Sequence, residues 1–426
     1  MTAEIAIMNK LGVALAADSA VTISSGTEQQ KIYDSADKLF ELTLKNPIGI
    51  MIYSGGDLMQ IPLPILIREF RTECGQFTLV NDASEAFLQF LQKVCSSASP
   101  ESATKELDHS LRPVFSKIDE IITSRIIGQI GDPDSGDLNV DAIHDDTLTK
   151  FEKYFEQQPL AEFVEVKPRV TQTRASTIRK IAETVLLRLS GQNLDRVVEI
   201  GKLALLRKNP FVPNVGIVIA GFGDNERFPT MNSYVLQGAA FGQLRFERNE
   251  CVDIDRNGTS ARVIPFAQKE MVDRFLFGLD DEIERKILKI VSDTIPELRS
   301  GLIDLLDMPD ADKVTLSNLG KESEDVLLER LKQTHFPNLR EGAKSDIESM
   351  VEFMPKPEMA AMAKALVNLT SIKRRVSRGM ETVGGPIDVA VISKSEGFVW
   401  VDRKHYFPSE LNERYAARQQ TNTGVV

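Results

Sequence analysis

Thr2 is the residue of this chain best equipped to do chemistry on its own. It follows Met1 directly, and a small second residue generally allows the initiator methionine to be removed. Thr2 would then carry a hydroxyl and a free α-amine, a nucleophile and its base on one residue. Three further features could serve such a nucleophile: the carboxylate of Asp18, the ammonium of Lys38 and the Ser54-Gly55-Gly56 turn. A positive charge lowers the pKa of a hydroxyl and an amine, a carboxylate orients the charge, and glycine amides can receive an oxyanion.

The spacing predicts elements that would bring these groups to one place. Glu4 to Met8 and Val13 to Ala17 read as short strands, joined by the hairpin turn Asn9-Lys10-Leu11-Gly12. Antiparallel partners lie equally far from the turn, so Asp18 falls opposite the Thr2 end. Ser35 to Leu42 predicts a strand offering Lys38, and Ile48 to Tyr53 is an apolar strand running into Ser54-Gly55-Gly56. Each feature alone has a plainer reading. Threonine commonly follows methionine, Asp18 could end a strand, Lys38 could be solvated, and Ser-Gly-Gly is an ordinary turn. Their order in one chain is what carries weight.

That order resembles the proteasome β-subunit branch of the N-terminal-nucleophile hydrolases, and within it the bacterial proteasome-like proteins. The residues that carry the resemblance are Thr2, Gly12-Val13-Ala14-Leu15-Ala16-Ala17-Asp18, Lys38-Leu39-Phe40 and Ile50-Met51-Ile52-Tyr53-Ser54-Gly55. The segment Ser24-Ser25-Gly26 to Asp34 would hold the extra residues before Lys38. Val215 to Gly223 looks like the family's central strand closing on an Ala-Gly turn. A helix around Met359 to Val376, then Gly384 to Ile392 and Gly397 to Val401, follows the order of its last helix and final strands. The resemblance implies an α+β fold, a four-layer αββα sandwich, here with large helical insertions.

There are departures. Active members of the family place Asp-x-x-Ser before the late Gly-Gly, where this chain has Met380-Glu381-Thr382-Val383. The serine position is apolar, with Glu381 and Thr382 as possible supports. The family's Gly-Ser-Gly-Ser segment is replaced by Ile264-Pro265-Phe266-Ala267-Gln268.

The resemblance assigns roles. Thr2 Oγ would attack an acyl carbon, its α-amine taking the proton through a water. Lys38 would lower the pKa of the nucleophile, Asp18 would orient Lys38, the Gly55 N–H would stabilise the oxyanion beside Ser54, and water would resolve the acyl-enzyme. No cofactor and no metal are implied. Relatives form rings or stacks, so a homo-oligomer is expected, acting on a peptide or protein substrate.

Composition bounds the rest. The 426 residues are 42% hydrophobic, as in an ordinary globular protein. The net charge of −11, from 51 basic and 62 acidic residues, argues against general nucleic-acid binding. Cys74, Cys95 and Cys251 form no motif and suit a reducing cytoplasm. No apolar run reaches membrane-spanning length, and Glu4 and Lys10 argue against a secretory leader. His109, His144, His335 and His405 lack zinc-ligand spacing. The acidic stretch Asp132 to Asp141 has its glycine misplaced for a calcium loop and Ile143 where a closing glutamate belongs. It reads as an exposed loop. No Walker-type loop occurs, so any ATP-dependent unfoldase would be a separate protein.

The predicted organisation is a first part of the core at 1–60, first core helices plus a helical insertion at 61–213, central strands at 214–269, and a second helical insertion at 270–353. The last helix and strands follow at 354–408, then a flexible tail at 409–426. In the first insertion the helical period covers Leu58 to Phe70, Ala83 to Val94, Ser102 to Ile127, Ser176 to Leu189 and Leu194 to Leu206. The second reads as helices broken at Pro296, Pro309 and Pro337. Function narrows to a threonine peptidase, with an amidase acting on a small amide, or a catalytically silent assembly or interaction protein, as alternatives.

Overall fold

The computed structural model describes residues 2–25, 29–130, 139–255, 258–376, 383–408, 411–414 and 417. The chain forms two compact units, Met1–Asp37 with Ile254–Val426, and Lys38–Asp253. The first begins with β1 (Ala3–Asn9), β2 (Gly12–Ala17), β3 (Val21–Ser25) and β4 (Gln29–Tyr33). The second continues with β5 (Leu39–Glu41), β6 (Ile48–Tyr53), β7 (Asp57–Leu58), β8 (Ile61–Pro62), α1 (Leu63–Glu73), α2 (Val80–Ser96) and α3 (Pro100–Ile130). It is completed by α4 (Val140–Gln157), β9 (Glu162–Phe163), α5 (Gln172–Val185), α6 (Gly191–Leu206), β10 (Val215–Gly221), β11 (Thr230–Ala240) and β12 (Gln243–Asp253). The chain then returns to the first unit with β13 (Ala261–Ala267), α7 (Glu270–Phe277), α8 (Asp281–Asp304), α9 (Asp310–Arg330) and a π-helical turn, Leu331–His335. It closes with α10 (Phe336–Val351), α11 (Lys356–Val376), β14 (Asp388–Ser393) and β15 (Gly397–Asp402). The fold is α+β, built on antiparallel sheets.

In the first unit the sheet order is β13-β1-β2-β14-β15. The β1–β2 hairpin pairs Asn9 with Gly12, leaving Lys10 and Leu11 as the turn. Asn9 supports that turn by accepting from the Leu11 N–H at 2.8 Å, as asparagine does in such corners. Ile5 and Ile7 project to one face, as the two-residue period requires, and pack with Met359, Ala363, Leu366 and Val367 of α11. Ala14 and Ala16 of β2 share that face, and their small side chains let the helix lie close. Pro265 pairs opposite Ile5 on β13, an edge strand where a missing N–H is tolerated.

In the second unit the sheet order is β5-β6-β10-β11-β12-β9. Leu63, Leu66 and Phe70 of α1 and Val80, Phe87 and Leu91 of α2 bury against Ile50, Ile52, Ile217 and Ile219. β11 and β12 meet at Phe241 and Gly242, both with positive φ (55° and 79°), the geometry of a tight hairpin turn. A separate core joins α3, α4, α5 and α6 around Phe115, Phe155, Ile178 and Val197. Gly201 of α6 is needed there, since a Cβ would come within 2.7 Å of Ile178 and 3.1 Å of Phe115.

Several elements differ from the sequence expectation. Ser35 to Lys38 is irregular, and only Leu39–Glu41 pairs with β6. α1 starts at Leu63, after the β7–β8 hairpin. α8 runs through Pro296, and Pro337 lies in helical backbone that continues from α9 through the π-helical turn into α10, so only Pro309 breaks the chain, as the residue before α9. Of the acidic stretch, residues 132–138 lie outside the described residues. Asn139 caps α4, accepting from the Ala142 N–H at 2.9 Å. Most of the tail after Pro408 also lies outside them.

Candidate active site

The β1–β2 register opposes Glu4 to Ala17, which carries Asp18 alongside Ala3. Asp18 N–H donates to Ala3 O at 3.1 Å, and Ala3 N–H donates to Asp18 Oδ1 at 3.2 Å. The Asp18 carboxylate thus bonds the amide next to Thr2. Its Oδ2 also accepts from Gly384 N–H at 3.1 Å and Ala20 N–H at 3.4 Å. Asp18 is buried and ties the ends of β1 and β2 to the segment entering β14. Ser19 completes the junction, donating from N to Gly384 O at 3.1 Å and from Oγ to Pro386 O at 2.5 Å.

Thr2 is 5% exposed and Glu4 1%. The Thr2 hydroxyl donates to Glu4 Oε2 at 3.1 Å. Residues two apart on a strand share a face, which is why these two side chains meet. Thr2 O accepts from Gln268 N–H at 3.2 Å. Gln268, also buried, receives the Arg374 guanidinium on its side-chain oxygen, while its Nε2 has no hydrogen-bond partner among the described residues. Arg374 lies 3.6 Å from Glu270 as well. Ala267, just before, holds φ at 57°, a left-handed conformation that is strained for a residue with a Cβ. Such strain persists only where surroundings enforce it, and it gathers at functional sites.

Lys38, Ser54 and Gly55 belong to the second unit, Thr2 and Asp18 to the first. Lys38 stands just before β5, buried, its carbonyl accepting from Ile52 N–H at 2.8 Å. Ser54 takes a left-handed φ of 67°. Gly55 has no room for a side chain, because a Cβ would lie 2.8 Å from Asn214 O and 2.6 Å from the Val215 side chain. Its N–H donates to Tyr53 O at 2.9 Å, so an oxyanion would have to draw that donor away from the turn. Glu381 and Thr382 lie outside the described residues. Val383 is fully buried in the core with Val389 and Leu366.

Glu4 and Gln268 are the side chains that sequence reasoning passed over. A carboxylate between Ala3 and Ile5 in an otherwise apolar strand was a legible signal. Gln268 had none, since its place depends on the pairing of β13 with β1. The arrangement can orient a hydroxyl, accept its proton at a carboxylate, and offer a spare amide donor nearby. Among the described residues, no group of three or more His, Cys, Asp or Glu could hold a metal ion, and no helix is long and apolar enough to cross a membrane.

No protein-family model matches the sequence, and no curated protein does. Among solved structures, one described as an Anbu (Gly-1) mutant from Hyphomicrobium sp. strain MC1 aligns with 100% of this chain and 98% of its own. The identity is 8% and the TM-score 0.20, and a likeness of that degree constrains neither fold nor activity.

Proposed function

We propose that the chain is a proteasome-like N-terminal-nucleophile hydrolase, a threonine peptidase that cleaves peptide bonds with Thr2 once Met1 is removed. The observation that carries this reading is the buried Thr2 hydroxyl held 3.1 Å from Glu4, with Asp18 bonded to the adjoining amide. Thr2 Oγ attacks the acyl carbon while its proton passes to the α-amine or to Glu4, and the tetrahedral intermediate collapses with that proton delivered to the departing amine as the C–N bond breaks. The resemblance assigns Lys38 the positive charge and Gly55 with Ser54 the oxyanion corner, while Asp18 fixes the backbone beside Thr2. Water then releases the acyl group. On this reading the two antiparallel sheets and their helices are the layers of an αββα sandwich, and the protein works in the cytoplasm as a homo-oligomer on peptide or protein substrates. An ATP-dependent unfoldase, where one takes part, is a separate protein.

A second reading rests on Val383. An apolar, fully buried side chain stands where active relatives of the resembled family carry serine, which favours a catalytically silent assembly protein. Untagged protein treated with a peptide epoxyketone, followed by intact mass and adduct mapping, separates the two. The peptidase reading expects loss of Met1 and one adduct on Thr2, absent from Thr2→Ala. Retained Met1 excludes it, and Met1 loss without an adduct or any peptide turnover selects the silent protein. Turnover of small amides alone would identify an amidase of the same chemistry.

A further inference from the structure

The α8–α9 hairpin buries almost none of its apolar surface. α9 contributes no buried residue and α8 only Ile303, whereas the shorter α6 buries seven. On α8 and its end, Ile290, Leu298, Leu302 and Leu305 are 60–83% exposed. On α9, Val314, Leu319 and Val326 are 51–60% exposed. Between the helices runs an apolar groove of about 540 Å³, lined by Ile295, Leu298, Leu302, Leu316, Leu319 and Leu327. Exposed apolar surface on this scale marks an interaction site.

We infer that this hairpin is a self-association surface, on which the α8–α9 hairpin of a second copy of the chain packs to complete an antiparallel four-helix bundle. The seam has the needed spacing. Val291, Ile295, Leu298, Leu302 and Leu305 alternate at four and three residues, the pattern of knobs-into-holes helix packing. The area also suffices. Ten large apolar side chains of the hairpin are 39–83% exposed. At on the order of 100 Å² of apolar surface per side chain, that offers roughly 600 Å². Homodimer interfaces are about 65% apolar, so the patch corresponds to about 900 Å² per copy against the roughly 800 Å² of a stable interface.

Charge favours the same occupant. After its acidic first turn, α8 carries Arg285, Lys286 and Lys289 in its first half, and Asp293, Glu297 and Asp304 with one cation, Arg299, in its second, with Asp307 just beyond. An antiparallel crossing about Leu298 sets Lys289 of one copy against Asp307 of the other, Glu297 against Arg299, and Val291 against Leu305. A two-fold axis generates that match twice.

Disulfide trapping in the full chain tests this. Leu298 would lie at the axis, so Leu298→Cys should give a covalent dimer under mild oxidation, with the peptides joined at position 298, while the unsubstituted chain under the same conditions should not. Adding Leu302→Asp and Leu319→Asp should lower the yield at least tenfold. Sedimentation velocity should show these two substitutions, made without the cysteine, halving the subunit number with unchanged circular dichroism. No crosslink at position 298, or one that persists in the triple variant, overturns the inference. So does a chain that stays monomeric at tens of micromolar while binding lipid vesicles through the same leucines. None of these readouts depends on Thr2 chemistry.

Discussion

The Thr2 hydroxyl and the Glu4 carboxylate meet at 3.1 Å inside the first unit, both side chains buried. A buried carboxylate accepting from a hydroxyl is placed to take the proton that a nucleophile must lose, and general-base help contributes roughly 10²–10⁴-fold to a rate. Glu4→Gln keeps an acceptor oxygen and removes the charge. The rate of epoxyketone adduct formation at Thr2 should fall about 100-fold, with the melting temperature nearly unchanged. An unaltered rate would make Glu4 a structural partner only.

Asp18 holds three backbone amides, those of Ala3, Ala20 and Gly384. In Asp18→Asn, one carboxylate oxygen becomes an amide donor that faces N–H groups. Charged hydrogen bonds of this kind are worth about 1.5–3 kcal/mol each, so a loss of about 3 kcal/mol is expected. At roughly 2–4 °C per kcal/mol the melting temperature should drop about 6–12 °C. A drop under 2 °C by calorimetry would show that these amides find other acceptors.

The strands were legible because burial on both faces leaves an apolar run, as in Val13–Ala17 and Ile48–Tyr53, and turn residues bound it. Strand pairing followed from the Asn9 to Gly12 turn by counting. α4 escaped notice because its apolar residues Ile143, Leu148, Phe151 and Phe155 are diluted among eight charged or histidine neighbours. Pro296 misled because proline forbids only one helix bond and one steric contact, a loss that a long helix can absorb. Long-range placement was not legible. Nothing local tells that Gln268 lies against Thr2, or that Gly384 donates to Asp18, since both depend on strands joining across more than 260 residues of chain.

Asp273 on α7 has its carboxyl pushed up to about 6 by burial, with Asp281 and Asp280 adding to the effect and Lys269 and Arg340 opposing it. The folded value lies above the unfolded one of 3.8, so the native state binds its proton more tightly. Stability linked to this group is therefore full below about pH 4 and is lost as pH rises through 6. Half-exposure screens the effect to on the order of 1 kcal/mol. Urea titrations at pH 4.5 and 7 should differ less in Asp273→Asn than in the unsubstituted chain. An equal difference would mean other groups set the slope.

The three thiols should separate in reactivity. Cys251 is exposed, Cys74 partly covered and Cys95 buried. Burial, helped by the Glu106 charge, pushes Cys95 to about 12, and burial raises Cys74 as well. Only the thiolate reacts. Iodoacetamide at pH 8 should label Cys251 first, Cys74 more slowly and Cys95 only in denaturant. Native labelling of Cys95 ahead of Cys251 would contradict this packing.

Gln268 poses the sharpest question about the site. Its backbone N–H holds Thr2 O at 3.2 Å, its side-chain oxygen takes the Arg374 guanidinium, and its buried Nε2 is unpartnered among the described residues. A buried donor without a partner costs about 1–3 kcal/mol, and the strained Ala267 beside it adds to the cost of this corner. Such a cost is repaid where the donor meets a substrate oxygen. Gln268→Met keeps the volume and removes both polar atoms. The melting temperature should hold within about 3 °C, because the orphan's penalty disappears as the Arg374 contact is lost. The epoxyketone rate at Thr2 should nonetheless fall at least tenfold, and Gln268→Glu, which retains the Arg374 contact without the donor, should be just as slow. A normal rate in both variants would assign Gln268 to holding Arg374 and nothing more.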